Sequence, residues 1–363
     1  MKPKINFEKL KNLNNYVGQE IDKRIVVYFD AKIKAAKKVD PNYEKLLSDM
    51  QQHLLRGGKR LRPTLMLLGY QAAEGDNIDL ALDAALSLEI FHSFVLMHDD
   101  VMDGDDRRHG APNITGIYQR RFARQLPPQE ARKTAESIAI LAGELNEAFT
   151  FEIIANLKLP AEVRFELMAH MQSVLFETGA GQQLDVISPT WKNPNKKNIE
   201  KVNFYKTAQY TITSPLNFGV IASTKSNSLK NDFAEYGKEV GAAFQMTDDM
   251  LGMFGTSRQT GKPVATDLRE GKRTMLIYFA KQLAKPLEWQ AISSRLGRDD
   301  LSNEDVKMVR NILKESGAQA KANVAIRDHL EKAIEIVQRM KVNDEIKELL
   351  VAFAGYCVER KND

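Results

Sequence analysis

Residues 98–110 read HDDVMDGDDRRHG, which puts five aspartates within eight positions and follows them with Arg107, Arg108 and His109. Carboxylates this close repel one another, so a fold that keeps them together needs cations to offset them. Asp99 and Asp103 stand four residues apart. On an α-helix that spacing places both on one face, with Cβ atoms about 5–6 Å apart, and Asp100 lies beside them. Carboxylate oxygens suit a hard cation. Mg2+ in particular takes one or two carboxylates and completes its shell with water and substrate phosphates. A Ca2+-binding EF-hand does not fit: with Gly104 at the sixth loop position, Val101 and Gly110 fall where acidic ligands are required. An acidic run at a helix end is often a solvated face. Here the run follows a helix C-terminus, which disfavours negative charge, and that favours a bound cation.

A second acidic pair recurs in residues 244–255, FQMTDDMLGMFG, where Asp248 and Asp249 follow the apolar helical run VGAAFQMT. The two clusters are expected to face each other across a helical bundle, each holding metal, with an anionic substrate between them. Basic residues accompany them. LLRGGKRLRP gathers Arg56, Lys59, Arg60 and Arg62 around a Gly-Gly turn, KTAQYT begins with Lys206 and Thr207, and TGKPVATDLREGKRT supplies Lys262, Arg269, Lys272 and Arg273. Arginine offers a planar fork to phosphate oxygens and lysine a point charge. Each basic group alone is an ordinary surface charge; together with two metal-type clusters they point to a diphosphate. The Gly-Gly-Lys is not a Walker loop, because the required spacing to a second glycine is absent.

The elements that must position these residues are helices. Segments 131–157, 162–185, 231–252 and 303–340 show helical periodicity, and strand and hairpin signals are scarce. Proline and glycine fall between segments, and the polar stretch 188–201 reads as a surface loop. No fixed-period repeat or composition break divides the 363 residues, so one all-α domain is expected. A net charge of +4 is small for this length and does not imply a nucleic-acid-binding surface. The single cysteine, Cys357, excludes an intramolecular disulfide framework. The N-terminus has no apolar core of a signal peptide, and cytoplasm is the default compartment. The most apolar run, 80–98, contains Asp83, Glu89, His92 and His98, so it reads as a buried helix and not a membrane span.

GGKRLRP, HDDVMD, GQQLD (181–185), KTAQYT, FQMTDD and TGKPVATDLREGKRT occur in this order between positions 57 and 274. The ordered set resembles the trans-isoprenyl diphosphate synthases, or polyprenyl synthetases, and is most like the short-chain geranylgeranyl and farnesyl diphosphate synthases. The resemblance implies an all-α orthogonal helical bundle of isoprenoid synthase type around a central cavity, usually a homodimer. It implies head-to-tail condensation of isopentenyl diphosphate with an allylic diphosphate, assisted by three Mg2+ ions. Asp99 and Asp103 would ligate metal on the allylic diphosphate with Asp100 in support, and Asp248, with Asp249 beside it, would hold the third ion. Arg108, Lys206, Lys262 and Lys272 would grip that diphosphate. Lys59, Arg62 and His92 would bind isopentenyl diphosphate, and Thr207 and Gln245 would line the reacting centre. Two positions depart from the family pattern: Gly252 stands where a third aspartate of the second motif is usual, and His109 where an arginine is expected on isopentenyl diphosphate.

In this reading the metal ions, lysines and arginines stabilise charge on the departing diphosphate, and positioning of the second substrate supplies much of the rate. The prenyl tail would run along the helix before Asp99, with Phe94 as floor and Val95 and Phe91 beside it. One bulky residue at the floor implies a twenty-carbon product, with fifteen carbons next. Rival readings are a farnesyl or longer-chain synthase, a class I terpene cyclase, a head-to-head synthase and a non-catalytic subunit of a two-chain prenyltransferase. The retained aspartates argue against the last, and Lys59, Arg62 and His92 argue against a cyclase.

Overall fold

Helix starts are written into the chain by short polar caps. Asp40 accepts the Asn42 N–H at 2.7 Å in front of Pro41, Asn77 accepts the Leu80 N–H at 3.0 Å, and Asn113 accepts the Gly116 N–H at 2.8 Å. Each cap satisfies a backbone donor that the first helical turn leaves unpaired. The computed structural model describes residues 5–191, 195–225, 228–255, 265–298 and 300–359. It is all-α apart from one minimal hairpin, as the periodicity predicts.

The chain forms two compact units, one of Lys11–Ala169 with Phe218–Ser226, the other of Met1–Leu10, His170–Asn217 and Asn227–Asp363. Most of α1 (Phe7–Ala36) belongs to the first, with α2 (Pro41–Leu55), α3 (Leu61–Ala72), α4 (Ile78–Met102), α5 (Ile114–Phe122) and α6 (Pro128–Ala155). Helix α4 packs against α3 and α6. It buries Leu82, Leu86, Leu88, Ile90, Phe91 and Met97. It is long and apolar enough to cross a membrane, but most of its apolar window is covered by the rest of the protein.

The second unit holds most of α7 (Ala161–Ile187), then α8 (Lys196–Val202), a π-helix (Asn203–Thr213) and the start of α9 (Ser214–Ala222). It continues with α10 (Lys230–Phe254), α11 (Thr266–Arg269), α12 (Met275–Leu283), α13 (Pro286–Ser293), α14 (Asn303–Glu315), α15 (Ala318–Arg339) and α16 (Asp344–Val358). Helix α10 is its axis and touches the π-helix, α12, α15 and α16. Met246, Met253, Leu276, Phe279, Leu313 and Ile326 form part of its core.

Three sequence expectations are corrected. The segment 303–340 is two helices, because Ser316 ends the first and Gly317 takes a left-handed φ of 82°, a conformation glycine adopts without a Cβ penalty. The stretch 188–201 is not wholly loop: Asn195 caps α8 by accepting the Asn198 N–H at 2.9 Å. A hairpin also exists, β1 (Arg107–Arg108) paired with β2 (Ala111–Pro112). Its strands are too short to show alternation. Its turn is His109–Gly110, with φ of 52° and 73°, the two positive values a type I′ turn needs.

Candidate active site

The first acidic cluster is built by the end of α4 and the hairpin that follows. Asp99 lies in the last turn, and Asp103 is the first residue past it, its N–H still bonded to the Asp99 carbonyl at 2.8 Å. The four-residue spacing therefore keeps its helical geometry. Asp100 is 1% exposed and receives Arg108: Nε donates to Oδ1 at 2.8 Å, and Nη2 donates to the same oxygen. Arg108 Nη2 also lies 3.8 Å from Asp99 Oδ2. The hairpin explains how a residue eight positions on reaches back: the tight turn reverses the chain, and Arg107 braces it by donating to the Gly110 carbonyl at 2.6 Å. Burial pushes the Asp100 carboxyl above its ordinary range, and the Arg108 charge opposes that shift. Burial likewise works against Arg108, but Asp100, then Asp99 and Asp105, outweigh it and hold the guanidinium above its ordinary pKa.

Upstream on the same helix, the surroundings of His92 disfavour its charged form. Burial lowers its pKa well below the ordinary value, and Arg62, Arg108, Arg60 and His109 add to the shift. Arg62 and His109, expected with His92 at isopentenyl diphosphate, and Arg108, expected at the allylic diphosphate, thus all lie within electrostatic reach of His92. His109 is lowered by burial and by Arg108 and Arg60, with Glu89 opposing. Lys59 is exposed on the turn before α3. Arg60, grouped at first with the phosphate-binding cations, serves the fold instead. It is buried, donates to Asp22 Oδ1 and to the Leu54 carbonyl at 2.7 Å each, and pairs with Glu89. Phe91 is fully buried, Phe94 is 8% exposed and Val95 is partly exposed. Phe94 packs edge-on between Phe91 and His98, at centroid distances of 5.5 and 4.9 Å.

The second cluster gathers side chains from α7, the π-helix, α10 and the segment around α11. Lys206 Nζ donates to Asp185 Oδ2 at 2.6 Å, and Lys272 Nζ lies 3.5 Å from the same oxygen. Thr207 Oγ1 donates to Gln245 Oε1 at 2.7 Å, and Gln245 Nε2 donates to Asp249 Oδ1 at 2.9 Å. Asp185, Lys206, Thr207, Gln245, Asp249 and Lys272 line one cavity with Asp267. Asp249 is 6% exposed, and its Oδ2 is buried without a hydrogen-bond partner among the described residues. Burial, then Asp267, push its carboxyl well above the ordinary range, with Asp248 and Asp185 adding and the Gln245 bond opposing.

The π-helix is what brings Lys206 and Thr207 here. Its wide turns are accommodated because Gly181 on α7 faces the Lys206 backbone and Gly241 on α10 faces Ala208, where any side chain would collide. π-Helical turns are rare and concentrate at functional sites. Asp185 and Asp267 fall within the GQQLD and TGKPVATDLREGKRT motifs, whose spacing assigns them no role. Their convergence with Asp249 comes from tertiary packing, and the local spacing carries no signal for it. Lys262 lies outside the described residues.

An orphaned buried carboxylate oxygen among further carboxylates fits a hard divalent cation. Among the described residues, no three carboxylate, imidazole or thiol groups already close around one point, so oxygens from a bound phosphate would have to complete the shell.

The polyprenyl synthetase family profile matches residues 44–313. The chain is 32% identical over 321 residues to the geranylfarnesyl diphosphate synthase of Aeropyrum pernix, covering 86% of this chain and 94% of that one. It is 29% identical over 300 residues to the short chain isoprenyl diphosphate synthase of Methanocaldococcus jannaschii, covering 83% and 85%. Among solved structures it superposes with a TM-score of 0.89 on the geranylgeranyl pyrophosphate synthase of Corynebacterium glutamicum complexed with isoprenyl diphosphate and magnesium, at 29% identity and covering 95% and 99%. The fold, the ordered motifs and these likenesses agree: the chain belongs to the polyprenyl synthetase family and is a prenyltransferase.

Proposed function

We propose that this chain is a geranylgeranyl diphosphate synthase that adds isopentenyl diphosphate head-to-tail to dimethylallyl, geranyl or farnesyl diphosphate. The observation that carries the reading is the pairing within each cluster: Arg108 on Asp100, Lys206 and Lys272 on Asp185. Carboxylates for metal and cations for phosphate are stored against one another, ready to be redistributed over a polyanion. Asp99 and Asp103 would hold Mg2+ with Asp100 behind them, and Asp248 with Asp249 would hold a further ion. Bound magnesium would supply Lewis-acid stabilisation of the departing diphosphate.

The protein's own groups do the rest. Arg108, Lys206, Lys262 and Lys272 donate to the allylic diphosphate as charge builds on it. Lys59, Arg62 and His109 bind isopentenyl diphosphate, and neutral His92 offers it a hydrogen bond without adding to the surrounding positive charge. Fixing both substrates places the isopentenyl double bond against the carbon that loses diphosphate. The released diphosphate is the base for the final proton. Phe94 stops the growing tail near twenty carbons.

The test is incubation of purified protein with Mg2+, isopentenyl diphosphate and each allylic primer, with products identified by mass. The expected main product has twenty carbons. Release of hydrocarbon or alcohol without consumption of isopentenyl diphosphate would indicate a cyclase and overturn the proposal, and so would the absence of any elongated product. Phe94→Ala is expected to lengthen the product. An unchanged distribution would remove Phe94 as the floor while leaving the condensation reading intact.

A further inference from the structure

Both acidic clusters put an aspartate towards the C-terminal end of a long helix, Asp99 in the last turn of α4 and Asp248 in the C-terminal half of α10. Four residues after Asp99 comes Asp103; four residues after Asp248 comes Gly252. A side chain grown from Gly252 would not enter open space. Its Cβ would stand 3.3 Å from Asp267 Oδ2 and 3.9 Å from Asp267 Cγ. The side-chain space at 252 is thus already bordered by a carboxylate from another segment.

That carboxylate is placed by backbone bonds. The Ala265 N–H donates to the Gly252 carbonyl at 3.1 Å, tying the approach to α11 onto α10. Ala265 takes a left-handed φ of 59°, which turns the chain into α11. The Lys272 N–H donates to the Asp267 carbonyl at 2.9 Å and closes the far side. A second, independent feature points to a ligand: Asp249 is 6% exposed, and its Oδ2 is buried and unpartnered among the described residues, in a cavity that Asp267 also lines.

We propose that Asp267 is a cation-binding carboxylate of the second cluster, supplied from α11 against the position that a side chain at 252 would take. The first cluster takes its second carboxylate from the same helix one turn on; the second takes it from a different element, and Gly252 is the residue that makes room. The inference rests on the reading of the second cluster as a metal site completed by phosphate oxygens. It predicts that an aspartate can work from either position, 252 or 267, but that the two positions compete for the same space.

The test is Mn2+ binding followed by electron paramagnetic resonance in the presence of inorganic pyrophosphate. It uses the full chain, with the first cluster silenced by Asp99→Asn and Asp103→Asn. Asp267→Ala and the shape-preserving Asp267→Asn are each expected to weaken Mn2+ binding by about tenfold or more, the scale on which groups around a metal act. Adding Gly252→Asp to Asp267→Ala is expected to restore affinity to within about threefold of the parent. Circular dichroism of each variant separates loss of binding from loss of fold. Parent-like affinity in a folded Asp267→Asn protein overturns the proposal, and so does a double variant that binds no better than Asp267→Ala. Asp248→Ala separates the two levels: if it too binds as the parent does, the metal reading of the whole second cluster fails. If Asp248→Ala loses binding while Asp267→Asn keeps it, only the assignment of Asp267 fails.

Discussion

At the end of α4 a buried aspartate meets an arginine; at the end of α10 a buried aspartate meets more carboxylates. Asp100 and Arg108 neutralise each other inside the first unit, and the hairpin delivers the partner. Asp249 shares its surroundings with Asp248, Asp185 and Asp267, and among the described residues only one of its oxygens is bonded, to Gln245. Similar sequence patterns, an Asp-Asp pair after an apolar helix, thus lead to opposite electrostatic balances. In the first cluster the buried aspartate already has a cation against it. In the second, the cations Lys206 and Lys272 sit on Asp185, and the crowding of Asp249 by further carboxylates is what a bound cation would relieve.

The largest test of this contrast is activity. Asp99→Ala and Asp248→Ala are each expected to lower turnover at least about a hundredfold, the scale of losing one preorganised charge contact to a transition state. Steady-state rates at saturating Mg2+ measure this. Near-normal turnover in either would mean that one cluster is dispensable and that the comparison has no functional content.

Stability gives a sharper contrast, of intermediate size. Asp100→Asn removes the charge that compensates a largely buried guanidinium, and breaking such a pair costs about 3 kcal/mol. Urea denaturation should report a loss of that order. A loss within about 0.5 kcal/mol, typical of surface changes, would show that Arg108 finds other compensation.

The smallest effect has the opposite sign. Asp249→Asn removes one of several crowded carboxylates, so the metal-free protein is expected to melt at a higher temperature than wild type at neutral pH. The folded pKa of Asp249 lies well above the unfolded value of about 4. Between the two the native state holds more protons than the unfolded chain, so this group's contribution to stability falls as pH rises through that window. The advantage of Asp249→Asn should therefore grow as pH rises above about 4 and fade as pH falls towards it. Melting curves at a series of pH values in chelator check it. An advantage that stays constant with pH would assign the effect to packing.

What could be read in the sequence follows the same divide. Asp99 and Asp103 were legible because a single helix fixes their relation, and four residues is one turn. The all-α class was legible for the same reason, since helical periodicity is local. The Arg108–Asp100 pair was not, because it depends on a hairpin whose strands are two residues each. Arg60 looked like its neighbours Lys59 and Arg62. Only the fold shows it buried against Glu89 and Asp22, partners 29 and 38 positions away. Asp185 and Asp267 reach Asp249 from separate elements, and no spacing rule connects positions 185, 249 and 267. Gly252 looked like a missing ligand, and its surroundings show a neighbouring carboxylate in that space.

The π-helix at Asn203–Thr213 constrains how this protein can vary in length. Removing one residue from that run would let it rewind with ordinary α pitch, and everything on one side of the deletion would rotate by about 100° about the axis. Lys206 and Thr207 would swing away from Asp185 and Gln245 even though every side chain in the site was retained. Insertions and deletions here should therefore be far more damaging than most substitutions, and a library that varies only residue identity would miss the tightest restriction on the site.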